Sequence, residues 1–259
     1  MTGNPGIIAS RACATIASSL AVAALCMASL SACGTMPPAT DGPAHAESKI
    51  DQHVNISLGQ QLAPSLEAYI DQTIEDVRND REIRPYDPTG EATARKLAIL
   101  ERTKARGFMS AADNELIWSN YKTCMLDRGY KEIIILTQIN GVRNEAGHML
   151  GTSQQEGKYR RDALVCGILN TGMIDSIYRV QQGNQSLAKN PYEGSLDCLH
   201  KSNAVPKEYS LDDLKRDLFR DSVSVKPRID YNNNMAAAAC LIANNIVVGQ
   251  PNMPMERLW

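Results

Sequence analysis

Apolar residues recur at helical spacing over most of the chain from about residue 60 onward. Residues three and four positions apart lie on the same side of an α-helix, so this pattern predicts amphipathic helices that each bury one face. The first run, from about Gln60, places six residues on one face: Leu62, Leu66, Tyr69, Ile70, Ile74 and Val77. A second run turns Leu97 and Leu100 inward and predicts a helix from Thr89 to a stop at Gly107.

Residues that can cap a helix precede the remaining apolar runs. The side chains of Ser and Asn accept hydrogen bonds from the free N–H groups at a helix start. They predict five further helix starts, at Ser110, Ser153, Asn190, Ser210 and Asn234. The helix that follows Ser110 should end at Arg128-Gly129, and the last helix should run from Met235 to about Val247.

One stretch departs from this helical pattern. Residues Ile133 to Thr137 are mostly β-branched, and Asn140-Gly141, a dipeptide typical of tight turns, follows them. The pattern predicts a short β-hairpin near residues 132–148, and the alternative is a connection without strands. The expected fold class is therefore mainly α, a small helical domain.

Composition and charge narrow the picture further. The chain is 43% hydrophobic and 22% charged, as folded proteins are, but aromatic residues make up only 5% of it. Small aliphatic side chains must then fill the core, which favours close-packed helices. The net charge of -2 argues against nucleic acid as a partner, because nucleic-acid binding requires a basic face.

Residues 1–32 have the pattern of an export signal. Arg11 supplies one positive charge, and an apolar run rich in Ala and Leu extends from Ala12 to Leu30. The residues Leu30-Ser31-Ala32-Cys33 resemble the lipobox of bacterial lipoproteins. The resemblance implies cleavage after Ala32, a diacylglycerol on the sulfur of Cys33, and usually an acyl chain on the new amino group. Two or three acyl chains hold a protein stably at a membrane, whereas one chain does not.

The lipobox resemblance also implies a location. In Gram-negative lipoproteins an Asp after the acylated cysteine usually retains the protein in the inner membrane, but Gly34 stands here. The expected location is therefore the periplasmic face of the outer membrane, with the inner membrane or the cell surface as alternatives. Two other interpretations of the apolar run stay open. About 19 apolar residues can span a bilayer as an uncleaved anchor, and a simple secretory signal would yield a soluble protein.

A tether and one domain should follow the signal. The stretch from Thr35 to Pro43 is small, Pro-rich and without apolar periodicity, which is typical of an extended linker. We therefore expect a flexible tether over residues 33–50 and a helical periplasmic domain over residues 51–259.

Four cysteines remain after the signal and Cys33: Cys124, Cys166, Cys198 and Cys240. An even number of cysteines in an exported domain suggests disulfides, because that compartment is oxidising. Four cysteines allow three pairings. The separation of 42 residues is the same within the first two and within the last two. This equality favours the bridges Cys124–Cys166 and Cys198–Cys240, and four buried free cysteines are the alternative.

The equal spacings also suggest an internal duplication. A shift of 74 residues superposes both cysteine pairs, and it places Ala163, Ile168 and Asn170 on Ala237, Ile242 and Asn244. The predicted repeat halves are residues 110–180 and 184–254, each a disulfide-stapled helix pair. Chance similarity between two Ala-rich helical stretches is the alternative.

The segment from Cys124 to Tyr130 resembles the Cys-Met-x-x-x-Gly-Tyr signature of many small proteobacterial lipoproteins of uncharacterised function. Its residues suit a helix end, with Cys and Met inward, Arg128 near the helix C-terminus, and Gly129 for a left-handed stop. The resemblance implies a structural element and not a catalytic one.

Residues with catalytic or metal-binding potential are few. The chain has four histidines: His45, His53, His148 and His200. Cys198 and His200 are two residues apart and do not share a helix face, and no second pair of ligands has zinc-like spacing. We therefore predict no catalytic residue, no metal and no cofactor.

The expected function is that of a membrane-anchored envelope lipoprotein, a non-catalytic module that binds or scaffolds an envelope protein. The alternative is an envelope hydrolase with an unrecognised active site. A deep pocket lined by convergent polar groups would favour the hydrolase, and a flat or grooved apolar surface would favour binding.

Overall fold

The computed structural model describes residues 59–219, 227–231, 233–249 and 252–259. The predicted signal over residues 1–32, the lipid attachment at Cys33 and the tether over residues 33–50 lie outside the described residues. The described residues all belong to one compact unit, which spans residues 52–259. Within the part that the structure describes, no helix has both the length and the apolar character needed to cross a membrane.

The described part of the chain is mainly helical, as its apolar periodicity predicted. Its eight helices are α1 (Leu66–Asn79), α2 (Glu91–Arg106), α3 (Ala111–Asp127), α4 (Ser153–Asn170), α5 (Asp175–Gly183), α6 (Pro191–Lys201), α7 (Leu211–Leu218) and α8 (Met235–Ala243). Its four short strands are β1 (Ile135–Thr137), β2 (Arg143–Glu145), β3 (Gly147–His148) and β4 (Met255–Glu256).

Most predicted helix starts are confirmed. The side chains of Ser110, Asn190, Ser210 and Asn234 each accept a hydrogen bond from a backbone N–H in the first turn of the following helix. The prediction at Ser153 is wrong by one residue. Thr152 is the cap. Its hydroxyl accepts a hydrogen bond from the N–H of Gln155, and the Gln155 side chain accepts one from the N–H of Thr152, which together form a capping box.

Other helix boundaries differ from the sequence pattern for local reasons. Helix α1 begins at Leu66 rather than near Gln60, because Ser65 caps it and the N–H of Leu62 donates instead to the carbonyl of Leu187. Helix α8 ends at Ala243, short of Val247, because the chain reverses at Asn245, whose φ is +60°. Helix α5 was not predicted, because no side-chain cap marks its start.

Two hydrophobic cores underlie this arrangement. The larger core is formed mainly by α1 to α5, with Ile70, Leu100 and Ile117 fully buried. The smaller core is formed by α6, α7 and α8, around Leu199 and Leu241. Aliphatic side chains dominate both cores, as the scarcity of aromatic residues predicted.

Both predicted disulfides are confirmed. Cys124–Cys166 joins α3 to α4 with a Cα–Cα distance of 5.7 Å, and Cys198–Cys240 joins α6 to α8 with 5.6 Å. In each half an asparagine one turn after the second cysteine, Asn170 or Asn244, donates back to that cysteine's carbonyl. The connections differ, because a β-hairpin separates α3 from α4 whereas α7 separates α6 from α8. The duplication itself stays a prediction.

The predicted hairpin is confirmed, and a second strand pair accompanies it. Strands β1 and β2 are antiparallel, and Gly141 in their turn has a φ of +83°. Strand β3 follows β2 directly and pairs in parallel with β4 from the C-terminus of the chain. The tail after the last helix therefore docks on its own domain.

Candidate functional site

The C-terminal segment, residues 255–259, packs over a cluster of polar side chains that includes Glu145 and Glu256. The N–H of Met149 donates to the carbonyl of Glu256 at 3.0 Å, and the N–H of Lys131 donates to that of Leu258 at 3.3 Å. Leu258 is only 1% exposed. The Trp259 ring packs edge-on against Tyr130, with centroids 5.5 Å apart. These contacts hold β4 across the end of α3 and the start of the hairpin.

Glu256 belongs to this segment, and its side chain points into the domain with none of its surface exposed. Its Oε1 accepts a hydrogen bond from the N–H of Ile134 at 2.6 Å. Its Oε2 is buried and has no hydrogen-bond partner among the described residues. A buried carboxylate oxygen without a donor is costly, so the acid is best satisfied in its neutral form.

A second carboxyl group, that of Glu145 on β2, belongs to the same cluster. The hydroxyl of Tyr121 on α3 donates to its Oε2. Its Oε1 is buried without a hydrogen-bond partner among the described residues. Glu145 and Glu256 are close enough to interact electrostatically, and each has one carboxyl oxygen without a hydrogen-bond partner among the described residues.

The pKa values of both acids are raised. Burial raises the pKa of Glu256 to about 8, and the nearby Glu145 and Glu132 add to the effect, against the Ile134 N–H and Lys122. Burial also raises the pKa of Glu145, although the hydroxyl groups of Tyr121 and Tyr159 act in the opposite direction. At neutral pH the Glu256 carboxyl is therefore protonated in a large part of the molecules.

A histidine and a third acid border the cluster. The Nε2 of His148 on β3 donates to Glu156 Oε2 at 3.1 Å, and the N–H of Gly151 donates to Glu156 Oε1 at 2.8 Å. The Gly151 N–H and the His148 hydrogen bond lower the pKa of Glu156. The His148 ring also lies 4.3 Å from that of Tyr159. His148 is thus held in place by groups of its own domain.

A cavity of about 220 Å³ opens beside Glu145. Its polar lining includes Asn144, Glu145 and Arg179, and the rest is mostly apolar. The Arg179 guanidinium already donates to the carbonyls of Ile242 and Arg143, and it pairs with Asp175. Arg179, the residue of the lining that could attract an anion, therefore already makes its hydrogen bonds and ion pair within the domain.

Three exposed apolar side chains lie at this cavity or on the neighbouring strand pair. Met255 is 54% exposed, Met149 is 55% exposed and Val247 is 80% exposed. Met255 is in register with Gly147 on β3, and Met149, one residue beyond the end of β3, donates its N–H to the carbonyl of Glu256. Val247 and Gly147 both line the cavity. We call Met149, Val247 and Met255 the methionine face.

The four cysteines of the domain form the two predicted disulfides. Cys198 is bonded to Cys240, and His200 donates from Nε2 to the carbonyl of Tyr209 at 2.9 Å. In the ranges that the structure describes, no three His, Cys, Asp or Glu side chains form a group that could hold a metal ion.

Sequence reasoning missed Glu145 and Glu256. Neither belongs to a motif, and a lone glutamate normally lies at the surface. One weak signal exists, because Glu256 lies in a tail whose other residues include Met253, Met255 and Leu258. A single acid in an apolar segment that docks must be buried with it or point outward, and only the fold decides which.

Comparison of the chain with protein-family models, with curated proteins and with solved structures finds no match.

Proposed function

We propose that this protein is an envelope lipoprotein whose helical domain is a non-catalytic binding or scaffolding module. Acylation of Cys33 anchors it at the periplasmic face of the outer membrane, and the tether over residues 33–50 separates the domain from the bilayer. The lipobox-like residues 30–33 support the anchor. The two disulfides support a domain that works in an oxidising compartment.

The methionine face is the observation that carries the binding role. Exposed apolar side chains grouped around a cavity are typical of interaction sites. Methionine side chains are flexible and polarizable, so they adapt to an apolar partner surface. The histidines in the described ranges, His148 and His200, are meanwhile bonded within the domain. An apolar segment of another envelope protein is the partner that this surface favours.

A pull-down of the tagged lipoprotein from solubilised membranes tests the proposal. Wild-type protein should recover one stoichiometric partner, and Met255→Glu should lose it, because a charge on the methionine face must be desolvated on binding. Leu164→Glu is the matched control, since Leu164 on α4 is also 54% exposed but lies outside the methionine face. Equal recovery by both variants would reject the methionine face as the binding surface.

The two buried acids favour a second candidate function, that of an envelope hydrolase. Two carboxyl groups that act on one another, both with raised pKa values, are elements from which general acid–base catalysis can be built. However, the unpartnered oxygens of Glu145 and Glu256 are closed to solvent, so a substrate would reach them only after the segment moved. Hydrolysis of envelope polymers by wild-type protein, abolished in Glu145→Gln, would establish this function in place of the first.

A further inference from the structure

The C-terminal segment is attached to the domain by a small set of contacts. Strand β4 pairs with β3, Leu258 fills a buried site, and Trp259 packs against Tyr130. Glu256 carries the one acidic side chain of residues 252–259, and this side chain is buried among these contacts. The protonation state of this carboxyl group therefore bears directly on whether the segment stays docked.

The groups around the Glu256 carboxyl do not compensate a negative charge. Five ionisable groups interact electrostatically with this carboxyl group, and His148 on β3 is in register with Glu256. The five are Tyr121 and Lys122 on α3, Glu132 in the following loop, Glu145 on β2 and Tyr159 on α4. Two of them are acids, and the one lysine among them, Lys122, is exposed. His148 is already bonded to Glu156.

We propose that residues 255–259 form a pH-sensitive latch, docked while Glu256 is protonated and released when Glu256 ionises. An ionised Glu256 would keep one N–H donor, from Ile134, and would leave Oε2 buried without any. Water solvates a carboxylate fully, so ionisation favours the state in which the segment has left its site. A released Glu256 ionises near its ordinary pKa of 4.5 and a docked one only near 8, so docking weakens progressively as the pH rises through this interval.

Release would change the surface of the domain. The N–H groups of Met149 and Lys131 would lose their backbone acceptors, and the site of Leu258 beside Tyr130 would open. Met255 would leave the methionine face with its strand. The latch would therefore alter both the exposed apolar area and the edge of β3, independently of whether the methionine face binds a partner.

Fluorine NMR of the full-length protein, labelled with 5-fluorotryptophan, tests the latch. The chain has two tryptophans, of which Trp259 lies on the latch and Trp118 is buried in the larger core. The Trp259→Phe variant assigns the resonances. As the pH rises from about 5 to about 9, the Trp259 resonance should shift reversibly to its random-coil position, and that of Trp118 should not.

Two variants separate the latch from general pH effects. Glu256→Gln should hold Trp259 docked over the whole range, because the amide keeps an acceptor for Ile134 and does not ionise. Glu132→Gln is the matched control, since this exposed acid also contacts the segment, through the N–H of Arg257. It should keep the response, with a small shift in pH because Glu132 adds to the raised pKa of Glu256.

Three results would overturn the latch: a Trp259 resonance that stays docked in the wild type, a Glu256→Gln variant that responds as the wild type does, or joint movement of both tryptophans. Should Glu256→Gln fail to fold, hydrogen exchange in the wild type decides. The Met149 amide should lose protection relative to amides of α4 as the pH rises, because its acceptor is the Glu256 carbonyl.

Discussion

At the scale of single residues, Glu256 couples the stability of the domain to pH. Its pKa is about 8 in the folded protein and 4.5 in an unperturbed chain. Between these values the unfolded chain loses its proton while the folded one keeps it, so the free energy of unfolding falls as the pH rises and levels off above about 8. Urea midpoints of the wild type should follow this course.

The Glu256→Gln variant isolates this contribution. Its urea midpoint should decline less than that of the wild type over the same interval, because Glu145 still titrates but residue 256 does not. Parallel curves for the two proteins would show that Glu256 is already ionised in the folded state.

Replacing either of two helical glycines by alanine should change the stability of the domain, in opposite directions. A Cβ at Gly194 in α6 would lie 2.7 Å from Asn184 Oδ1 and closer still to Asn244 Oδ1, whereas at Gly157 in α4 the nearest atom is 3.5 Å away, on the flexible Arg161 side chain. Gly194→Ala should therefore destabilise the domain by about 1–3 kcal/mol. Gly157→Ala should stabilise it by about 0.5–1 kcal/mol, because Ala favours helix. Thermal unfolding of both variants checks the opposite signs.

At the scale of elements, each disulfide joins and stabilises a pair of helices. A closed loop of about 43 residues should contribute about 3–4 kcal/mol in the chain-entropy model. Cys198→Ala should lower the free energy of unfolding by about 2–5 kcal/mol. The double variant Cys198→Ala/Cys240→Ala should cost little more, since one bond is lost in either case. Additive losses in denaturant titrations would contradict this account.

The docked tail is the other element whose contribution can be measured. Leu258 is 1% exposed, so Leu258→Ala should cost about 2–5 kcal/mol if β4 is part of the cooperative fold. Leu164 on α4 is 54% exposed, and Leu164→Ala should change stability by less than about 0.5 kcal/mol. Similar small effects from both would mean that the tail detaches before the domain unfolds.

At the scale of the whole molecule, the proposed anchor makes a direct prediction. Cys33→Ser removes the sulfur that would carry the diacylglycerol, so the protein should lose its acylation and leave the membrane fraction or be misprocessed. Cell fractionation with an antibody against the helical domain measures this. If Cys33→Ser stays with membranes as fully as the wild type, an uncleaved apolar anchor over residues 12–30 becomes the better interpretation.

The helices, their caps and the disulfides could be predicted from the sequence because their causes are local or periodic. Apolar spacing decides which face of a helix is buried, Ser110 and Asn190 bond to N–H groups in the next turn, and equal cysteine separations favour pairing within halves. Only tertiary structure decided where the tail docks and which acids it buries. Glu145 and Glu256 are 111 positions apart, and their raised pKa values arise from burial by α3, β3 and the chain's own end. Burial depends on contacts between distant segments, which leave no periodic pattern along the chain.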